Sequence, residues 1–232
     1  MGTVASVHVR AEDADAPQVH AAVRRVFAHL RRVDGVLSTW RADSDLLRLQ
    51  HRETTEAHAW VADVVELCLE AEERTEGLFS AWRHRPGGRT VFDPTGLVKG
   101  WAVAGAAEHL ALVPGVSYGV GVGGDVVVGT GPGVGPAAPE WRVGIADPAR
   151  AGVVADVVAV RRGAVATSGA AERDGHVVDP RTGLPVRRPG SATVVGPDLT
   201  WADVWATAAW VDSVRVERLL RRRDEGLRLV LH

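Results

Sequence analysis

Apolar and polar residues alternate through positions 3–10, the two-residue period of a half-buried strand. The period then lengthens. Over 18–33, Val19, Val23, Val26, Phe27 and Leu30 fall on one side of a 3.6-residue repeat and arginines on the other, which predicts an amphipathic helix. Ser44 is placed to cap a short helix ending near Leu49. A longer helical pattern covers 57–75, with Trp60, Val64, Leu67 and Leu69 as apolar positions. A Pro-Gly-Gly turn follows at 86–88. An alanine-rich helix suited to close packing is predicted from Gly96 to about Leu110.

From Val116 the texture becomes strand-like, with runs at 116–121, 124–130, 141–145, 153–160, 163–167 and 191–195. Gly and Pro separate them, most densely over 129–139, which reads as a long hairpin loop. Residues 201–222 carry one helical pattern, and 227–231 closes as a strand. Helices early and late with strands between predict an α+β or mixed-sheet α/β layout, not a regular βαβ series. Neither a repeat nor an internal boundary stands out, so the 232 residues are expected to form one domain, 1–232.

Composition adds exclusions. Hydrophobic residues make up 46% and charged residues 24%, an ordinary globular balance. The formal net charge of −2 gives no reason to expect nucleic acid as a partner. Cys68 is the single cysteine, so an internal disulfide is impossible. No run is long enough for a membrane span and residues 1–6 lack a signal-peptide core, so the expected location is the cytoplasm. Of 27 basic residues only Lys99 is a lysine; asparagine is absent and Ile145 is the sole isoleucine. A lysine that persists against so strong a drift toward arginine hints at a chemical need.

Four segments could carry chemistry. In 93–100, Asp93, Pro94, Thr95 and Gly96 precede Lys99 and Gly100. A helix starting there would offer backbone N–H groups to an anion, and the lysine a point charge for phosphate oxygens. The plainer reading is a strand-to-helix turn with a solvated lysine. Gly123 and Gly124, before Asp125, read either as a tight strand connection or as backbone passing close to a ligand. Thr167 and Ser168 beside Gly169 could bind phosphate oxygens. His176 precedes an Asp-Pro-x-x-Gly turn and could act as a general base or simply face solvent. Asp203 and Thr207 are four apart, so on a helix they share a face; together they suit a hard cation. Alternatively, Asp203 is a helix-start acid favoured by the dipole.

In order and spacing, these segments resemble the ApbE family of FAD:protein FMN transferases. Further matches are the opening strand after Met1, the Ser38, Thr39, Trp40 block with Ser44, Gly77 to Phe79, and the run from Trp141 to Pro148. Two positions depart from the family pattern, Ser80 where it carries an acid and Gly121 where it carries asparagine, and the segment 77–93 is short. The resemblance implies a compact α/β, T-fold-type architecture with FAD in a cleft between a helical N-terminal part and the strand-rich middle. It implies Mg²⁺ held by Asp203, Thr207 and a main-chain carbonyl at Gly96. FAD-lining positions would be Asp93, Thr95, Gly96, Lys99, Gly123, Gly124, Asp125, Thr167 and Ser168. Lys99 and His176 would be catalytic, His176 as base. The partner implied is an acceptor flavoprotein offering a Thr or Ser hydroxyl.

Overall fold

Six strands pair side by side, each antiparallel to its neighbours, in the order β1-β4-β5-β8-β11-β12. The computed structural model describes residues 3–84, 88–170, 177–223 and 225–232. In the sheet, β1 is Ala5–Arg10, β4 Ser117–Val122, β5 Asp125–Thr130, β8 Gly163–Gly169, β11 Ser191–Gly196 and β12 Arg228–Leu231. Val122 pairs with Asp125, leaving only Gly123 and Gly124 to turn the chain. Their φ values of 58° and 94° are the left-handed pair that a two-residue hairpin turn of the right twist demands.

Helices cover one face of this sheet: α1 (Pro17–Leu37), α2 (Asp45–Gln50), α3 (Trp60–Arg74), α4 (Thr95–Ala111), α5 (Leu199–Val211) and α6 (Ser213–Arg223). Strand residues Val120, Val122, Ala164, Ala166, Ala192 and Val194 share the main hydrophobic core with α4 and α5. Buried residues lie around most of the circumference of both helices, as expected of central ones. They approach closely at Gly100, where an added Cβ would lie 2.7 Å from the Leu199 carbonyl oxygen and 3.0 Å from Asp203 Cβ.

On the opposite face, β6 (Trp141–Ala146) and β7 (Val154–Val160) form a hairpin over a smaller cluster of Val128, Ile145, Val158, Val160 and Val165. Two short pairs complete the fold, β2 (Trp82–His84) with β3 (Thr90–Phe92) and β9 (Val178–Asp179) with β10 (Leu184–Pro185). Among the described residues, no helix is long and apolar enough to cross a membrane.

Several expectations are corrected. Residues 201–222 form two helices, because Asp212 turns extended (φ −150°, ψ 87°) and its carboxylate accepts the Arg215 N–H at 3.0 Å, starting a new helix. Segment 131–140 is not a hairpin loop, since β5 and β6 lie in different sheets. Its carbonyls are tied down by Arg161, which bonds those of Pro136 and Ala138, and by Arg10, which bonds those of Pro139 and Glu140. Leu69 is exposed, because the buried side of α3 runs through Val61, Val64, Cys68 and Ala71. The Ser44 cap is as expected, accepting the Leu47 N–H at 3.2 Å. Pro86 of the expected turn and His176 lie outside the described residues.

Candidate functional site

The site is built where the start of α4 meets α5 and the sheet. Asp93 folds back over the helix start: one oxygen accepts the Thr95 N–H (3.3 Å) and hydroxyl (2.5 Å), while the other meets Arg83 Nε at 2.9 Å. The N–H groups of Leu97 and Val98 bond to the Pro94 carbonyl. That leaves Gly96 as the one first-turn donor without a protein partner among the described residues. Thr95 also shares a 3.3 Å hydroxyl contact with Thr39.

One turn on, Lys99 reaches into the seam. Its Nζ lies 2.7 Å from Asp125 Oδ2 and 3.9 Å from Asp203 Oδ1. Both carboxylates are buried, and burial of charge is tolerable only with partners. They have them. Besides the ammonium, Asp125 accepts the Thr167 N–H at 3.1 Å and Asp203 the Gly100 N–H at 3.2 Å. The Asp125 bond falls where backbone pairing between β5 and β8 stops, at Val126 and Val165, and continues the ladder by one side chain.

Asp203 is not a helix-start acid. Asp198 caps α5, accepting the Trp201 N–H at 3.1 Å, and Asp203 sits a turn further on, against α4. Thr207 follows on the same face and meets the Ser168 hydroxyl at 3.3 Å. A Cβ built on Gly96 would lie 3.9 Å from Thr207 Oγ1 and 3.1 Å from the Phe79 ring, so glycine lets α4 backbone approach both. Thus Gly96, Lys99, Asp125, Ser168, Asp203 and Thr207 converge. Thr167 diverges: neighbours on a strand point to opposite faces, and its hydroxyl bonds Thr193 at 2.9 Å on the far side while its N–H serves Asp125. Gly123 and Gly124 enter through the turn that leads into Asp125.

Sequence reasoning did not weigh Trp40 as a candidate. Its side chain is 80% exposed, next to the Thr39 that touches Thr95. A tryptophan in a polar turn between Thr39 and Arg41 was the available signal. Among the described residues no group of three His, Cys, Asp or Glu side chains converges on a metal position. Of the groups at the α4–α5 seam, the Asp203 carboxylate and the Thr207 and Ser168 hydroxyls are oxygen donors of the kind hard divalent cations take.

An antiparallel sheet under a helical layer carries a lysine, two buried carboxylates and hydroxyls at their seam. The ApbE family model matches residues 1–84 and 80–231, and the chain belongs to that family. It is similar to a protein of Klebsiella pneumoniae strain 342 named FAD:protein FMN transferase, 28% identical over 85% of this chain and 73% of the relative. A Treponema pallidum protein of the same name is 41% identical over 38% of this chain and 27% of its own. Among solved structures, the ApbE protein of Thermotoga maritima superposes with a TM-score of 0.79 at 22% identity, covering 99% of this chain and 91% of that one. The flavin transferase ApbE of Vibrio cholerae does so with 0.74 at 20% identity, covering 99% and 96%.

Proposed function

We propose that this protein is an FAD:protein FMN transferase: it moves the FMN moiety of FAD onto a Thr or Ser hydroxyl of an acceptor flavoprotein and releases AMP. The observation that carries this reading is the α4–α5 seam, where the Lys99 ammonium, two buried carboxylates and the hydroxyls of Ser168 and Thr207 meet. Family membership and the relatives' names support it.

The reaction forms a bond from the acceptor oxygen to the FMN-side phosphorus and breaks the bond from that phosphorus to the AMP oxygen. Negative charge concentrates on nonbridging oxygens on the way. Lys99 and the Gly96 N–H are fixed donors for such charge, and Gly124, where an added Cβ would meet nothing within 4 Å, leaves room for a ligand close to its backbone. Asp203, Thr207 and a carbonyl at Gly96 would hold Mg²⁺, which when bound supplies Lewis-acid stabilisation of the pyrophosphate. Asp93 and Thr95 order the helix start, and Thr95 touches Thr39, the chain neighbour of Trp40, whose exposed indole suits stacking on an aromatic ring. The acceptor proton is assigned to His176, a role worth about two to four orders of magnitude in rate.

Mass spectrometry tests the reading after incubation with FAD, Mg²⁺ and a peptide containing one threonine. A peptide that gains the mass of FMN supports transfer. Free FMN and AMP beside unchanged peptide would mean hydrolysis, and intact FAD retained by the protein would mean binding alone. Asp203→Ala is expected to abolish Mg²⁺-dependent turnover; unchanged turnover in that variant removes the metal assignment.

A further inference from the structure

α6 turns Val216, Leu219 and Leu220 toward the core. Arg215, Arg218 and Arg222, at i, i+3 and i+7, therefore form a ridge along its outer side. With Glu76 and Leu219 they line a surface notch of about 270 Å³. Glu76 holds a left-handed backbone conformation, φ 51°, uncommon for a residue with a side chain. There its carboxylate meets Arg215 at 2.5 Å. The other ion pairs of the helix, among the described residues, join Arg221 to Glu217 and Arg223 to Glu225. Arg218 spends its Nε on the Val214 carbonyl of its own helix, and neither it nor Arg222 has a carboxylate at ion-pair distance among the described residues. The ridge is a local excess of positive charge on a chain whose net charge is −2.

Hydrogen bonds and ion pairs connect it to β9. Asp212 accepts the Arg215 N–H through one oxygen (3.0 Å) and meets the Arg181 guanidinium through the other (3.3 Å). Arg181 in turn pairs with Asp179 of β9 at 2.9 Å. On the other flank, Glu76 leads within three residues to Phe79, whose ring abuts Gly96.

We propose that the α6 ridge is a docking surface for an acidic segment of the protein acceptor. The proposal rests on the transferase reading. Charge complementarity chooses the occupant: a basic stripe on an otherwise slightly acidic molecule orients and recruits a partner carrying the opposite sign locally, and acts mainly on encounter and selection. FAD itself is served by groups inside the seam, so the ridge has no part in its binding.

The test uses two acceptor peptides with one threonine each, one flanked by Asp/Glu tracts and one by Ser/Gly. Wild-type protein is expected to use the acidic peptide with kcat/KM about tenfold higher at low salt. The advantage should vanish in the Arg218→Glu, Arg222→Glu double variant and in about 0.5 M salt, where screening is short-ranged, with the KM for FAD unchanged. Arg218→Gln, Arg222→Gln serves if the reversed pair does not fold. Equal use of both peptides by wild type, or an advantage that survives the double variant, overturns the proposal. Competition by a short DNA duplex as strong as that of the acidic peptide would overturn it in favour of a nucleic-acid surface. Fluorescence anisotropy with labelled acidic peptide separates the two readings. Ridge-dependent binding without any transfer leaves docking and removes the transferase reading; transfer without ridge dependence removes docking alone.

Discussion

At 2.7 Å from Asp125 and 3.9 Å from Asp203, the Lys99 ammonium makes a close ion pair with one carboxylate and a looser one with the other. Coulomb attraction scales inversely with distance, so the Asp125 pair dominates. Asp125 is also the more costly charge to strand, its side chain being 0% exposed. Removing one partner of a buried pair costs about 3–5 kcal/mol, because the other is left uncompensated. Lys99→Met should lower the urea-unfolding free energy by roughly that amount. Lys99→Arg keeps the charge but replaces a compact ammonium with a planar fork. Its expected stability loss is within about 1 kcal/mol, whereas FMN transfer falls by tenfold or more, on the order of 1.4 kcal/mol of lost transition-state stabilisation. An arginine variant with full turnover would mean that Lys99 is only a structural counter-ion.

α4 is the element on which both the core and the site depend, and glycines set its distance from its neighbours. At Gly100 an added Cβ would meet a carbonyl oxygen, part of the rigid backbone of α5, at 2.7 Å. Gly100→Ala should therefore push α4 off α5 and destabilise by about 1–3 kcal/mol, as overpacking does. If Asp203 holds Mg²⁺ as proposed, the substitution should also weaken the metal response of turnover by moving Asp203, whose carboxylate takes the Gly100 N–H. On the far side, Gly105 makes room for His29 of α1, whose ring lies 5.8 Å from that of His109 and 5.5 Å from that of Trp60. Burial lowers the His29 pKa first, then the charge of His109 and, less, that of Arg32; Glu108 opposes them. A histidine with a folded pKa below its unfolded one binds fewer protons folded than unfolded, so its neutral form stabilises the fold above the unfolded value of about 6.5. That stability is lost as pH falls below about 6.5 toward the lowered folded value. Thermal midpoints should drop between about pH 7 and pH 5 more in wild type than in His29→Gln, and parallel declines would rule out this seam as the cause. At this scale the sequence was largely legible, because helix and strand periods are local properties. The break at Asp212 was not, because apolar positions recur at helical spacing on both sides of it and only the capping bond reveals the new start.

The whole molecule is a sheet between two unequal cores, and its site draws on residues no local pattern connects. Gly100 and Asp203 are 103 positions apart in the chain; their meeting follows from helix packing across the sheet. The alternation rule alone could have separated Thr167 from Ser168. The resemblance to a family brought the site residues together where spacing could not, but it did not give the ion pair between Lys99 and Asp125. The same asymmetry governs which part opens first. The main core binds α4 and α5 to buried side chains of three strands of the sheet, whereas the β6–β7 hairpin docks through a cluster of five buried side chains, three of them its own. Val154 and Val157 of β7 are 56% and 41% exposed, so little else holds it. A lone two-stranded hairpin is marginal in water, and docking on β5 and β8 supplies its stability, helped by Arg10 stacking 3.8 Å over Trp141. Hydrogen–deuterium exchange should accordingly find the β6 and β7 amides opening well before those of α4 and β8. Ile145, 2% exposed, is the largest residue of that small core. Ile145→Ala should reduce the local opening free energy by about 2–4 kcal/mol and speed exchange in the hairpin while protection in α4 and α5 changes far less. If exchange instead accelerates equally in all of them, the two cores unfold as one unit and the hairpin is an integral part of the framework that holds the seam.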